Sequence, residues 1–374
     1  VKYNEAGYKL LMESDGDITC GIDYDSTWTP TDSVTSTAAT YDDNFWHYVA
    51  CVKNANTSLT LYIDGLSVGT PDTSLTNSTL ANTDPLYIGI DADGTSNDWV
   101  GKVDQFRIYN YSLTQAQVSW DYSRGAPVAW YKFDECQGTT AYNSALNGNG
   151  AAAGMNSTIN ARTLGNTAVG TCNSGVSTEM WNDGTTGKYT SSLGFDSSDD
   201  DVSVTNASAI DLNEGLQNGL TISAWIYANS DGEADVGKIF TKGTETLCQT
   251  DSQSGSNLDI QCELDLATDA TLNIASAITT GTWNHIVMSW ADDSDDEISI
   301  WINGIPKGTS ADGVGPTSAD TNNIIIGNDS TQANTFDGLI DDFKIFNYEL
   351  TSAQIRTLYN EGSAVRFGPQ TGSP

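Results

Sequence analysis

Hydrophobic and polar residues alternate in short runs along most of this chain. Ile298, Ile300 and Ile302 fall on one side of an extended backbone and Ser299, Trp301 and Asn303 on the other, the pattern of a strand buried on one face. Further strands are predicted at Val128 to Phe133, Val202 to Thr205, Leu220 to Ala228, Leu258 to Leu264, Trp283 to Trp290 and Leu339 to Phe346. Asp64-Gly65 and Asn303-Gly304 follow strand runs with residues that tolerate positive φ, as tight hairpin turns demand. Helical signal is confined to Thr114 to Tyr122 and Thr351 to Asn360, each opened by a Thr able to cap the first turn. Many short strands joined by polar connections, with 35 glycines in the chain, predict an all-β antiparallel sandwich.

The pattern also repeats. Phe45-Trp46-His47-Tyr48-Val49 returns as Thr282-Trp283-Asn284-His285-Ile286, and Asn110-Tyr111-Ser112-Leu113-Thr114 as Asn347-Tyr348-Glu349-Leu350-Thr351; both separations are 237 residues. Between them Leu59 to Gly65 matches Ile298 to Gly304, and Gly101 to Phe106 matches Gly338 to Phe343. A period this long means duplicated domains. The second copy runs over 127–366 and is complete, 367–374 is a tail, and 1–126 matches only the rear half of the second copy. A half sandwich exposes unpaired edges. Either another chain completes it, or Val1, which is not an initiator methionine and opens no signal peptide, marks a cut in a longer polypeptide.

Composition narrows the partners. Fifteen Lys and Arg against 49 Asp and Glu leave a formal charge of −34, which repels phosphate backbones and anionic headgroups, so nucleic acid is not expected as a partner. No run of about 18 apolar residues occurs, so membrane insertion by a helix is not expected either. Six cysteines without a CxxC pair point to disulfides and a secreted or cell-surface location. Chain order and the repeat favour Cys20 with Cys51, Cys136 with Cys172, and Cys248 with Cys262 among the possible pairings.

Five landmarks then occur in order: Val128 to Glu135, Gly187 to Asp196 followed by Val202-Ser203-Val204, Leu220 to Ile226, Trp283 to Val287, and Gly338 to Phe346. They resemble laminin-G-like jelly-roll domains of the concanavalin A-like lectin/glucanase superfamily, and the tandem arrangement resembles that of modular bacterial surface proteins. The resemblance implies two tandem jelly rolls, the first without its N-terminal half. It further implies a structural calcium tying the first strand to the last, with Asp134 and Asp341 as carboxylates in the second domain and Asp104 as the counterpart of Asp341 in the first.

Sugar recognition would use an aromatic platform in a polar, turn-rich loop, which singles out Trp28 and Trp181 as ligand-binding candidates. Trp46, Trp225 and Trp283 stand within alternating strands and are expected in the core. A glucanase needs paired carboxylates on one strand face. Glu263 and Asp265 share a face, but Ala267 and Thr268 stand where a further acid is needed, so catalysis is not expected. His47 and His285 are read as structural. The sequence thus points to an extracellular, non-catalytic adhesion module binding a glycan or surface protein. The alternative is a structural subunit or spacer, homo-oligomeric or completed by another chain; a glycoside hydrolase is the least favoured reading.

Overall fold

The computed structural model describes residues 7–24, 30–37, 41–76, 80, 83, 85–91, 97–145, 155–206, 210, 219–243, 246–291, 296–311, 313–317 and 321–360. Trp28 and the tail 367–374 lie outside them. The chain divides into two compact units, residues 1–125 and the rest of the described chain.

The first unit is built from two three-stranded antiparallel sheets. One contains β1 (Gly7–Met12), β2 (Ile18–Asp23) and β3 (Asp32–Thr35); the other contains β4 (Val49–Asn54), β5 (Ser58–Ile63) and β6 (Leu66–Asp72). Ile18, Cys20 and Ile22 from one sheet and Leu59, Leu61 and Ile63 from the other form its core, as their period of two requires. Helix α1 (Gln115–Ser123) follows, capped as expected by Thr114, whose side chain accepts from the Gln117 N–H while Gln117 answers to the Thr114 N–H.

The second unit is a full sandwich. Its strands are β7 (Ala129–Tyr131), β8 (Thr140–Ala141), β9 (Ser157–Asn160), β10 (Leu193–Asp196), β11 (Asp201–Val204), β12 (Gly219–Ala228), β13 (Val236–Lys242), β14 (Thr246–Ser254) and β15 (Asn257–Leu264). They continue with β16 (Leu266–Thr268), β17 (Ala270–Thr279), β18 (Trp283–Ala291), β19 (Ile298–Ile302), β20 (Ile305–Thr309), β21 (Val314–Thr317), β22 (Ile324–Ile326) and β23 (Asp337–Phe346). Seven strands, β10-β23-β12-β18-β19-β20 with β7 beside β23, make one sheet. Eight, β17-β15-β14-β13-β22-β11-β9-β8, make the other. Phe240 of the second sheet meets Phe343 of the first edge-on at 6.0 Å, inside a continuous apolar core. Besides the expected helix α3 (Ser352–Asn360), a short helix α2 (Met180–Asp183) and a 3-10 turn at Glu233–Asp235 are present, which the periodicity did not predict because both are about one turn long.

The repeat is now visible as topology. Sheet β1-β2-β3 matches β14-β15-β17, and β4-β5-β6 matches β18-β19-β20, the outer ends of the two sheets of the second unit. The first unit therefore carries rear-half strands alone among its described residues. All three expected disulfides form: Cys20–Cys51 joins the two small sheets, Cys136–Cys172 ties the segment after β7 to the one before α2, and Cys248–Cys262 crosses between β14 and β15.

Two tryptophans differ from expectation. Trp181 was expected on a rim loop but is completely buried, with its Nε1–H donated to the Gly138 carbonyl at 3.0 Å; α2 turns it inward to close one end of the core. Trp46 was expected in the core but is 57% exposed. Its counterpart Trp283 packs on Tyr227 of β12 at 5.8 Å, and among the described residues no strand of the first unit corresponds to β12. Trp225 is buried as expected.

Candidate functional site

In β7 the alternation buries Ala129 and Tyr131, so Trp130 and Lys132 face outward. Beside them runs β23, whose pairing with β12 slips between Ser223 and Trp225. Asp342 sits at this bulge with φ of 53°, which brings Asp341, Asp342 and Lys344 close together at the sheet surface. The third wall is the segment 187–191, pinned across both strands: the Tyr189 N–H donates to Asp341 Oδ2 at 3.0 Å, the Ser191 N–H to Asp134 Oδ1 at 3.3 Å, and the Ser191 hydroxyl to the Phe133 carbonyl at 2.6 Å.

Trp130, Lys132, Asp134, Tyr189, Asp341 and Asp342 enclose a recess of about 290 Å³. Trp130 Nε1–H donates to Asp342 Oδ1 at 2.5 Å, and Asp342 Oδ2 accepts from Lys344 Nζ at 3.0 Å. The Lys132 and Lys344 ammonium groups lie 4.3 and 4.7 Å from the Trp130 ring centre, and Lys188 lies 4.0 Å from that of Trp225. Tyr189 meets Trp225 edge-on at 6.1 Å. Burial pushes the Asp341 carboxyl up to about 7, helped by the charges of Asp342 and Asp134 and opposed by the backbone N–H groups of Tyr189 and Lys188.

The structure thus brings Asp134 and Asp341 to one recess. Among the described residues no three His, Cys, Asp or Glu side chains gather around one point as a metal group. Of the three carboxylates lining the recess, Asp342 is engaged by Trp130 and Lys344, which leaves Asp134 and Asp341, and a calcium ion there would complete its shell from carbonyl and water oxygens. Asp104, in the other unit, is exposed and accepts from the Gln105 N–H at 2.7 Å. Glu263 lies on the outward face of β15 while its neighbour Cys262 is buried. Trp130, Lys132 and Tyr189 were not singled out from the sequence. The signals for two of them were there: the alternation through Val128 to Phe133 puts Trp130 and Lys132 on one side, and paired acids inside an apolar strand mark a bulge.

The Concanavalin A-like lectin/glucanases family of laminin-G type matches residues 2–119 and 196–356, most of the sequence. The chain belongs to that family. Among solved structures it is similar to the native heptameric SAP-like pentraxin from Limulus polyphemus, at 19% identity and a TM-score of 0.33 over 38% of this chain and 70% of that one. It is also similar to domain 4 of an extracellular arabinanase from Geobacillus stearothermophilus in complex with arabinotriose, at 18% identity and a TM-score of 0.40 over 63% of this chain and 98% of that one. A third similar structure is the receptor binding domain of botulinum neurotoxin D, at 16% identity and a TM-score of 0.44 over 65% of this chain; the match spans 54% of that chain's length. No curated protein matches.

Proposed function

We propose that the chain is an extracellular, non-catalytic binding module and that the recess beside β7 is its ligand site, taking a neutral glycan or a polar loop of a surface protein. The observation that carries this reading is the lining itself: two aromatic rings for stacking, carboxylates of Asp134 and Asp341 to accept from hydroxyl groups, and the Lys132 ammonium to donate. Three disulfides support an oxidising, extracytoplasmic setting. Among the described residues no helix is long and apolar enough to cross a membrane.

The test is binding to a panel of neutral oligosaccharides, with Trp130→Ala and Tyr189→Phe measured beside the parent chain. Trp130→Ala should weaken the best ligand at least tenfold and Tyr189→Phe should leave stacking intact; unchanged affinity in Trp130→Ala overturns the site. The same reading assigns a structural calcium to the gap between Asp134 and Asp341, so millimolar calcium should raise the unfolding temperature of the parent and not of Asp341→Asn.

A further inference from the structure

The turn between β10 and β11 carries four carboxylates, Asp196, Asp199, Asp200 and Asp201, and each clasps the segment 160–166 that follows β9. Asp196 Oδ2 accepts the Asn166 N–H, and Asp199 Oδ2 accepts the Thr163 N–H at 3.0 Å. Asp200 Oδ2 accepts from Asn166 Nδ2 at 2.8 Å, and Asp201 from Asn160 Nδ2 at 2.8 Å and Arg162 Nε at 2.9 Å. Only Asp201 thereby meets a cation. Among the described residues no Lys, Arg or His forms an ion pair with Asp196, Asp199 or Asp200.

Asp196 and Asp200 are each satisfied on one side alone. A single residue, Asn166, donates to both, from its backbone N–H and from its side-chain amide, so the two carboxyl groups stand side by side. Their second oxygens, Asp196 Oδ1 and Asp200 Oδ1, are buried and have no hydrogen-bond partner. Asp200 is 0% exposed and its own carbonyl is held by Asn328 Nδ2 at 3.1 Å, so the group has no path to turn toward water. Gly165 draws the loop against the same carboxyls: at its φ of 56° a Cβ would fall on Asp196 Oδ2. A buried carboxylate with a bare oxygen needs either a proton or a cation.

We propose that Asp196 Oδ1 and Asp200 Oδ1 are two ligands of a calcium ion enclosed beneath the β10–β11 turn, with carbonyl and water oxygens completing its shell. The side chains converging here offer oxygen donors, which select a hard cation, and two carboxylates among neutral oxygens suit the large, irregular shell of calcium better than the strict octahedron of magnesium. The ion takes the place of the proton that burial keeps on Asp200 in its absence, and it staples the turn to the 160–166 loop. The site shares no residue with the recess beside β7 and does not depend on the reading of that recess.

The test is metal content. The chain is stripped with a chelator, loaded with calcium or with magnesium, passed through gel filtration in metal-free buffer and measured by elemental analysis. The parent should keep about one calcium per chain and no magnesium, and Asp341→Asn should keep the same calcium. Asp196→Asn and Asp200→Asn should each retain less than about a tenth of it, with circular dichroism matching the parent. Should Asp200→Asn fail to fold, Asp196→Asn, at a partly buried position, decides the matter. A parent that retains no calcium after loading overturns the proposal and leaves a proton as the only occupant. Magnesium held as firmly as calcium, or calcium kept by both aspartate variants, overturns it equally. Millimolar calcium added to the loaded chain then reports on the recess alone, so either site can fail without the other.

Discussion

His47 Nδ1 lies 2.8 Å from Asp64 Oδ2, across the turn that joins β5 to β6, and its Nε2 lies 3.1 Å from Asp43 Oδ1. Asp64 also accepts the Tyr48 N–H at 2.9 Å, so one carboxylate holds both the turn and the imidazole. Burial lowers the affinity of His47 for its proton, but the hydrogen bonds and charges of Asp64 and Asp43 outweigh it and raise the pKa. Because the folded value is the higher one, the stabilisation is complete below the ordinary value of about 6.5 and is lost as pH rises through the raised value. Unfolding of the first unit should therefore ease as pH rises above about 6.5 and through the raised value. His47→Asn with Asp64→Asn, which copies the Asn284–Asn303 pair of the second unit, should flatten that dependence in unfolding curves.

His285 titrates the other way. Burial pushes it down to about 3, with the charges of Lys344 and Lys188 adding to the effect, while Trp225 and Tyr359 pack on its ring at 5.2 and 6.2 Å. The folded state holds fewer protons here, so stability is intact above about 6.5 and declines as pH falls toward about 3. In a proton NMR titration one histidine should shift with a midpoint above its ordinary value and the other should stay neutral down to pH 4. Two histidines titrating together near about 6.5 would contradict both assignments.

Asp200 is fully buried beneath the β10–β11 turn, with Oδ2 accepting from Asn166 Nδ2 at 2.8 Å. Burial pushes its carboxyl up to about 8, Asp196 and Asp199 push the same way, and the Asn166 hydrogen bond opposes them. The folded form keeps a proton that the unfolded form releases near about 4, so stability falls as pH rises from there to about 8. Asp200→Asn keeps the acceptor and cannot ionise. At pH 9 it should be more stable than the parent by on the order of a few kcal/mol, and at pH 4 nearly equal, as measured by denaturant unfolding.

Gly65 and Gly304 stand at the same place in the two units, each with positive φ (82° and 73°) under a helix tyrosine. A Cβ on Gly65 would meet Tyr122 Cδ1 at 3.0 Å, and one on Gly304 would meet Tyr359 Cδ1 at 3.1 Å. Alanine at either position should cost about 1–2 kcal/mol from backbone strain and crowding, with the loss confined to the unfolding transition of its own unit.

The Cys20–Cys51 bridge closes a separation of 31 residues and joins the two sheets of the first unit. Replacing both cysteines with alanine should cost about 3–4 kcal/mol and lower the calorimetric transition of that unit, leaving the second transition in place. A parallel drop in both transitions would mean that the units do not unfold independently.

Much of the fold was legible in the residues. Period-two runs gave the strands, Asp64-Gly65 and Asn303-Gly304 the turns, Thr114 a helix cap, and chain order with the repeat the three disulfides. The recess was half legible. Asp134 and Asp341 were named and do meet, whereas Trp130 and Tyr189 were passed over in favour of Trp28, which lies outside the described residues, and Trp181, which is core. A turn-rich sequence around a tryptophan says that the backbone bends there, but not whether the bend points the ring outward or folds it over the end of a sandwich.

Trp46 and Trp283 show where the division falls. Each opens the same strand motif, and the chain alone determines that both lead into a strand and that Asp64-Gly65 and Asn303-Gly304 make turns further on. Such features depend on φ preferences and alternation, which are properties of neighbouring residues. Whether the tryptophan is covered, whether Ile340 or its counterpart Val103 is dry, and how far His285 and Asp341 depart from their ordinary pKa depend on strands that arrive from far along the chain. Burial and desolvation are properties of neighbours brought together by folding, and so only the tertiary structure decided them.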